Sequence, residues 1–258
     1  MLTGVAATVI AAFTVFGAVI LNTGGGRTFI DIAMRTGGRA PGGGAKIATI
    51  ASGLFGMVSG SAVANVATTG NFTIPLMKRL KYPPAMAGGT EAIASTGGQL
   101  APPIMGAAAF IMAEIIGVDY ARIIVAAALP AFLFYLGVFM TIHVLATEGS
   151  LGSVPDEEVP GWKDILRWER ILPIGTALAA LFYGILSGKS ITTSAFYGIL
   201  GALITFPLTR IRSRSDLFAS LTELNKAVSE SASGLLIIGV LLAGAQIMVS
   251  AINMTGLG

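Results

Sequence analysis

A long uncharged stretch in the middle of the chain decides what this sequence can fold into. Between Arg122 and Glu148 there is no Asp, Glu, Lys or Arg, and most side chains are aliphatic or aromatic. An α-helix needs about 20 apolar residues to cross the hydrocarbon core of a bilayer, and this stretch is long enough to do so. Only 11% of all residues are charged, whereas ordinary soluble domains have about 25%. The sequence therefore predicts an all-α integral membrane protein.

Further runs of the same kind lie on both sides of this stretch. The predicted transmembrane helices span residues 2–22, 121–147, 171–188, 190–208 and 234–258. The chain also contains 34 glycines, and small residues let helices approach closely in lipid, where packing holds them together. It has no Cys and a single His, so disulfides, thiolate metal sites and multi-histidine metal sites are excluded. The basic residues lie in short loops between apolar runs, and we expect no nucleic-acid partner.

Two apolar runs in the first third of the chain are too short to cross a bilayer. Residues 45–58 form one, and residues 66–77 form the other. Runs of about 10 to 14 residues favour a re-entrant segment over a full span. Basic residues flank the pair on both sides, including Arg39 before the first run and Lys78 after the second. The positive-inside rule is satisfied if residues 45–77 form a re-entrant hairpin that enters and leaves on the cytoplasmic side.

The hairpin fixes the direction of every later segment. Residues 83–117 then cross outward, and the following spans alternate in direction. With this topology 14 of the 16 Lys and Arg residues lie on the cytoplasmic side, and only Arg122 and Lys189 lie outside. A single crossing at residues 45–77 would invert all later loops and break the positive-inside rule.

A connector at residues 148–168 follows on the cytoplasmic side. Its acidic run, residues 156–158, is expected to be a solvated loop. Trp162 and Trp168 flank basic residues just before a span, which is typical of side chains that anchor a helix at the membrane–water interface. The connector is therefore predicted to lie at the membrane surface.

The stretch GMVSGSAVANVATTGNFT, residues 56–73, is rich in small polar side chains and carries no charge. It contains the predicted hairpin tip, where backbone polar groups have no water to bond. Non-helical backbone at that depth must be buried in protein or line a cavity. Unwound carbonyls suit Na⁺, and half-helix N-termini suit an anionic substrate group. The candidate ligands at this tip are Ser59, Gly60, Ser61 and Asn65.

A second interruption, STGGQLAPPIMG at residues 95–106, falls near the centre of the predicted crossing at residues 83–117. Glycine weakens a helix, and proline removes a donor and clashes with the preceding turn. Two broken elements at similar depth indicate a transporter binding site. Small residues can also serve helix packing alone, but packing does not require unwinding. The candidate site residues of this break are Thr96, Gly97, Gly98, Pro102 and Pro103.

Glu91 lies in the helix that leads to this break, among small residues. An intramembrane carboxylate is a functional candidate by default, and Glu91 either pairs with a backbone donor or helps to coordinate a coupling ion.

The oxygens of Ser59, Ser61 and Asn65 suit a hard monovalent cation, so Na⁺ is the expected coupling ion. A coupling proton would instead need a titratable group, and Glu91 is the candidate near this depth. We expect no other cofactor and no catalytic residue.

Two stretches of the sequence resemble the large membrane subunit of TRAP transporters. They are GLFGMVSGSAVANVATTGNFTIPLMKRLKYPP, which resembles the first hairpin of that subunit, and EAIASTGGQLAPPIMGAAAFIMAE, which resembles the next broken helix. Within that family the sequence is most similar to the TAXI type. The resemblance implies a bacterial or archaeal inner-membrane permease of elevator type, driven by a gradient of Na⁺ or of protons. It also implies a periplasmic substrate-binding protein and a small membrane subunit, or its fused equivalent, as partners. The implied solute is a small organic anion.

The resemblance further implies two inverted repeats, each with its own hairpin. The sequence shows an echo of this symmetry, because AVILNTGGG at residues 18–26 and SAINMTGLG at residues 250–258 each place Thr and glycines after an apolar run. We expect residues 1–147 to form the first repeat, residues 169–231 to form connecting helices and a cytoplasmic loop, and residues 232–258 to begin a second, incomplete repeat. The chain is thus expected to be half of a transporter, and not to transport by itself.

The alternatives to a transporter are an intramembrane serine hydrolase and a pore-forming or structural membrane subunit. An intramembrane serine hydrolase would use Ser59 or Ser61, but no G-x-S-x-G elbow surrounds either serine. The sole histidine, His143, is predicted toward the cytoplasmic end of its helix, away from the tip. A pore-forming or structural subunit would use similar apolar helices, but a channel needs a continuous polar lining, and the sequence has a single polar patch.

The topology has a direct test, because the chain is free of Cys. Single cysteines at Arg39 and at Lys78 are both expected to react with thiol reagents only from the cytoplasmic side. Labelling of either position from the opposite side would contradict the re-entrant hairpin and the site built on its tip.

Overall fold

The helices of this protein follow one another with short connections. The computed structural model describes residues 6–149 and 151–210, together with scattered positions between 222 and 254, and in this part of the chain it has no strands. The helices are α1 (Ala11–Ile20), α2 (Gly26–Gly37), α3 (Gly43–Ser59), α4 (Ala62–Arg79), α5 (Pro84–Gly97), α6 (Ala107–Ile116), α7 (Tyr120–Gly149), α8 (Trp162–Ile165), α9 (Trp168–Leu186) and α10 (Ile191–Arg210). The predicted all-α fold is confirmed.

Four helical segments are long and apolar enough to cross a membrane among the described residues. They are Thr8–Gly37, Tyr120–Gly149, Trp168–Leu186 and Ile191–Thr209. The last three agree with the spans predicted from the sequence. The fifth predicted span, at residues 234–258, lies outside the described residues except for scattered helical positions.

The first helical segment continues beyond residue 22, across a kink. An end was expected at residue 22, because Thr and glycines follow it. The structure has a π-helical turn at Leu21–Gly25, in which Gly24 takes a non-helical φ of 106°. The hydroxyl of Thr28 donates to the Gly24 carbonyl over 2.9 Å, and the chain continues as α2. Glycine tolerates positive φ, so Gly24 lets the chain kink, and the end predicted at residue 22 falls at this kink between α1 and α2.

Helices α1, α6, α9 and α10 share one apolar core. Phe13, Phe16 and Leu181 are completely or almost completely buried in it. Gly198 of α10 lies so close to Phe16 that an added Cβ would be 2.2 Å from the ring. Gly184 of α9 meets Ser194 of α10 in the same way. Small residues therefore let these helices approach closely, as expected where no hydrophobic force acts between helices in lipid.

Helices α3 and α4 form an antiparallel helical hairpin. Gly44 near the start of α3 lies against Leu80, just past the end of α4, and Ser52 in the middle of α3 bonds Thr69 of α4 over 3.0 Å. The chain reverses at Gly60, which has a φ of 64°. A helical hairpin was predicted over about residues 45–77, and its re-entrant path through a bilayer stays a prediction.

The connector folds back onto both ends of this hairpin. Val154 is buried, and its N–H donates to the Gly38 carbonyl over 2.9 Å. Arg39, before α3, lies 2.6 Å from the Asp156 carboxylate. Arg79, the last residue of α4, pairs with Glu158. Both ends of the hairpin therefore lie beside the same segment, on one side of the molecule.

The acidic run of the connector was expected to be a solvated loop, and this interpretation was incomplete. Its carboxylates are largely exposed, but Asp156 and Glu158 each pair with a guanidinium group. Exposed ion pairs contribute at most about 1 kcal/mol each, so these pairs orient the connector more than they stabilise it. Trp162 and Trp168 are exposed on the following helices, as expected for interfacial anchors.

Gly56 of α3 generates a stability prediction, because it lies directly against Gly98. A Cβ at Gly56 would be 2.4 Å from the Gly98 Cα, which is backbone and cannot rotate away. We expect Gly56→Ala to destabilise the protein by about 1 to 3 kcal/mol. Thermal unfolding in detergent micelles measures the change.

Gly88→Ala is the matched control, because a Cβ at this helical glycine would meet nothing within 4 Å. Removing a glycine from a helix stabilises it by up to about 1 kcal/mol, and an unchanged or higher midpoint is expected for this variant. Equal midpoints for the two variants would contradict the close packing of Gly56 on Gly98.

Candidate functional site

The hairpin tip is shaped by its own small polar residues. Gly60 adopts the left-handed conformation, and a Cβ there would lie 2.3 Å from the Met105 carbonyl oxygen. The Ser61 hydroxyl accepts the Ala64 N–H over 3.3 Å and so caps the N-terminus of α4. The Ser59 hydroxyl accepts the Ser61 N–H over 3.4 Å. Both serine side chains are partly exposed, so each retains oxygen lone pairs for a ligand.

The second interruption is an irregular segment between α5 and α6. Helix α5 ends at Gly97, and the next N–H groups bond back three residues, from Gln99 to Thr96 over 3.1 Å and from Leu100 to Gly97 over 3.0 Å. Pro102 and Pro103, which have no N–H to donate, follow this tightened turn. The exposed Thr96 hydroxyl donates to its own helix, at the Ala92 carbonyl. The predicted break is thus present, over residues 98–106.

The hairpin tip and the helix break are in direct contact. Gly56 packs on Gly98, and Gly60 packs on Met105. The Ile104 N–H also donates to the Met57 carbonyl over 3.3 Å. The structure therefore brings together the two sets of residues that the sequence singled out. Their part in binding stays a prediction.

Asn65 lies one turn into α4, beside the contact between Gly56 and Gly98. It belongs to α4, its side chain is completely buried, and its amide nitrogen donates to the Ser52 carbonyl over 2.7 Å. Its side-chain oxygen lies 3.2 Å from the Thr69 hydroxyl. The amide therefore links α4 to α3 behind the tip, and it is the least accessible of the three predicted Na⁺ ligands.

Glu91 is completely buried where α5 meets both arms of the hairpin. Four hydroxyl groups surround its carboxyl group, from Ser52 on α3, Thr69 and Thr73 on α4, and Ser95 on α5. All four of these side chains are themselves buried. The sequence identified Glu91 but missed its partners, although the spacing of four residues between Thr69 and Thr73 places both on one helix face.

No basic side chain pairs with Glu91 among the described residues. The ion pairs there involve Arg39, Arg79, Arg167 and Arg170. Lys46 is buried, but its Nζ lies 3.0 Å from the His143 Nδ1 and over the ring of Phe139. The surroundings of Glu91 are therefore polar but uncharged.

The position of His143 bears on the alternative of a serine hydrolase. A nucleophilic serine needs a base within hydrogen-bond reach. His143 contacts Lys46 near the start of α3, whereas Ser59 is the last residue of that helix, roughly 20 Å along the axis. The described residues also contain no group of three or more His, Asp or Glu side chains that could hold a metal ion. The geometry does not assemble a hydrolase site.

Span-length helices, a helical hairpin and a helix broken opposite its tip are together typical of secondary transporters. The family model "Tripartite ATP-independent periplasmic transporter, DctM component" matches residues 2–258. The chain therefore belongs to the DctM family of TRAP transporter permeases, as its sequence motifs indicated.

Two curated relatives illustrate the relationship. The chain is 30% identical to the C4-dicarboxylate TRAP transporter large permease protein DctM of Pseudomonas aeruginosa, over 71% of this chain and 42% of the relative. It is 26% identical to the 2,3-diketo-L-gulonate TRAP transporter large permease protein YiaN of Escherichia coli, over 75% of this chain and 46% of the relative. The chain thus spans less than half the length of either relative.

The buried position of Asn65 generates a second stability prediction. Asn65→Ala leaves the Ser52 carbonyl without its side-chain donor, and we expect a loss of about 1 to 3 kcal/mol. Asn71→Ala is the control, because Asn71 is exposed on the same helix and bonds only the Ala67 carbonyl. That variant is expected to change stability by less than about 0.5 kcal/mol. Thermal unfolding measures both, and equal losses would contradict a linking role for Asn65.

Proposed function

We propose that this chain supplies one half of the solute and ion pathway in a secondary importer driven by an ion gradient. The supporting observation is the contact between the hairpin tip at Gly60 and the helix break at Met105. Four helix ends meet there, the C-termini of α3 and α5 and the N-termini of α4 and α6. Helix C-termini carry partial negative charge and favour cations, whereas N-termini favour anions. One junction thus offers both kinds of binding surface.

Membership of the family supports a proposal for the solute class and the partners. The two relatives are named for C4-dicarboxylate and for 2,3-diketo-L-gulonate, which are both organic anions. We propose that this transporter also carries a small organic anion, delivered by a periplasmic substrate-binding protein. A small membrane subunit, or its fused equivalent, would complete the assembly in the inner membrane. The motifs around the tip and the break favour the TAXI type and an elevator-type movement.

For the coupling ion we propose Na⁺, bound at the tip by the hydroxyls of Ser59 and Ser61 with backbone carbonyls around Gly60 and the Thr96–Gly98 turn. The support is chemical, because these groups are uncharged oxygen ligands. An uncharged oxygen cage can hold a monovalent cation and still release it, which a transport cycle requires. Asn65 is expected to position α4 behind this cage, and its own oxygen would join only if the tip rearranges.

The Na⁺ proposal predicts the behaviour of the complete transporter, reconstituted in vesicles with its binding protein. Replacing external Na⁺ by choline should abolish concentrative uptake. Ser61→Ala and Ser61→Gly should each raise the half-saturating Na⁺ concentration about tenfold, because a polar contact to an ion is lost. The glycine variant matters because glycine serves almost as well as serine at a helix N-cap. A shared effect of both variants is therefore due to the lost hydroxyl and not to a lost cap.

Thr141→Ala serves as the control for these serine variants, because Thr141 lies on α7 and its hydroxyl donates to the Gly137 carbonyl. Its Na⁺ dependence should match that of the parent protein. Parent uptake that is indifferent to Na⁺ would refute the cation site at the tip. Absence of any gradient-driven uptake of an organic anion would refute the proposed function as a whole.

A further inference from the structure

The two oxygens of the Glu91 carboxyl group have different surroundings. Oε1 is approached by three hydroxyls, from Ser52 at 2.8 Å, Thr69 at 2.5 Å and Ser95 at 3.1 Å. Oε2 is approached by one, from Thr73 at 2.5 Å. Oε1 therefore accepts hydrogen bonds whether or not the carboxyl group is protonated. Oε2, with a single partner, is the oxygen that can carry a proton.

Thr73 can serve both protonation states of Glu91 without moving. Its hydroxyl lies within hydrogen-bond distance of Oε2 and also 3.0 Å from the Thr69 carbonyl, one turn back in α4. When Glu91 is ionised, Thr73 donates to Oε2. When Oε2 carries a proton, that proton is donated to the Thr73 oxygen, and the Thr73 hydroxyl turns to the Thr69 carbonyl. A hydroxyl has one donor and two acceptor positions, so each arrangement satisfies every group.

The other hydroxyls tolerate the same change. The Thr69 hydroxyl has a second acceptor, the Asn65 carbonyl at 2.8 Å. Ser52 and Ser95 can both continue to donate to Oε1, because a carbonyl oxygen accepts two hydrogen bonds. Protonation therefore requires two threonine hydroxyls to rotate and no backbone to shift.

No charged group on the helices around Glu91 neutralises its ionised form among the described residues. On α3 the nearest base in sequence is Lys46, six residues before Ser52, and its ammonium contacts His143 of α7. On α4 the basic residues Lys78 and Arg79 lie five and six residues after Thr73, but both are exposed, and Arg79 pairs with Glu158. Glu91 is the only titratable residue of α5. Helix α7, which touches α5, also carries Arg122 near its start, Tyr135, whose hydroxyl bonds the Ala94 carbonyl, and Glu148 at its end. A buried carboxylate without a positive partner is costly, and proton uptake removes that cost.

A metal cation does not fit between Glu91 and its neighbours in this arrangement. All four hydroxyl oxygens are within direct hydrogen-bond distance of the carboxyl oxygens. A cation held between two oxygens would separate them by more than such a distance. The ligand that fits is a proton.

From this geometry we propose that Glu91 is a proton-binding site, with the proton bound to Oε2 and donated in a hydrogen bond to the Thr73 hydroxyl oxygen. The site is separate from the Na⁺ site proposed at the tip. It joins both hairpin arms to the helix that leads to the break. Its use in coupling, as a second ion that the transporter carries, rests on the proposed function.

Infrared spectroscopy of the purified chain in lipid nanodiscs tests the site without requiring transport. The parent protein should show the C=O band of a protonated carboxylic acid that shifts in D₂O and disappears in Glu91→Gln. Glutamine is a close mimic of the protonated acid, since its amide can donate to Thr73 where Oε2–H did. Thr73→Val removes the acceptor of that proton, so the band should persist at a shifted frequency.

Two variants serve as matched controls, Glu114→Gln and Thr68→Val. Glu114 is exposed near the end of α6, and Thr68 is exposed on α4 with its hydroxyl on the Ala64 carbonyl. Neither should alter the band. Absence of the band in the parent protein at every pH from about 5 to about 9 would overturn the proposal. A band that is insensitive to both Glu91→Gln and Thr73→Val would overturn it equally.

A transport measurement separates the proton site from the proposed function. In the complete transporter, an inward pH gradient imposed at equal Na⁺ on both sides should stimulate uptake at least about tenfold less in Glu91→Gln than in the parent. If the parent protein shows no infrared band but has normal Na⁺-driven uptake, the proton site is rejected and the proposed function is not. A band assigned to Glu91 together with no uptake of any organic anion would reject the proposed function alone.

Discussion

Buried polar groups that cannot bond water must find partners within the protein. This constraint shapes the hairpin tip and the helix break. In a bilayer an unpaired N–H or C=O group costs several kcal/mol, and the hairpin and the break would otherwise expose many of them. The chain meets this need with short side chains that bond nearby backbone. Ser61 caps α4, Asn65 bonds the Ser52 carbonyl, and the hydroxyls around Glu91 bond its carboxyl group. The same small residues let the tip pack directly against the break, as Gly60 does on Met105.

Close approach of backbones is the second condition for this arrangement. Gly56 meets Gly98, and Gly60 meets the Met105 carbonyl, at distances that no side chain would permit. This contact links the hairpin to the broken helix and brings helix ends of both polarities to one junction. The connector adds a restraint at the opposite end, where Asp156 and Glu158 pair with Arg39 and Arg79. The hairpin is thus held both at its tip and at its base.

Several elements could be predicted from the sequence because their causes are local. Uncharged runs of sufficient length predicted the helices at residues 121–147, 171–188 and 190–208, and two short runs flanked by basic residues predicted the hairpin. The proline pair at Pro102 and Pro103 predicted the break. The glycines after residue 22 marked the interruption of the first helix at Gly24, but the sequence did not show that the chain continues beyond it as α2.

The sequence by itself determined the class of protein, the membrane helices and the positions where helices are interrupted, because length, charge and glycine or proline content act within a few residues. It also selected Glu91, since a carboxyl group in an apolar helix is conspicuous. Only the tertiary structure decided what surrounds that carboxyl group. Ser52, Thr69, Thr73 and Ser95 come from three helices, and nothing in their local sequence shows that they converge. Their convergence depends on the antiparallel packing of α3 on α4 and on the glycine contact that brings α5 against both, which are long-range interactions.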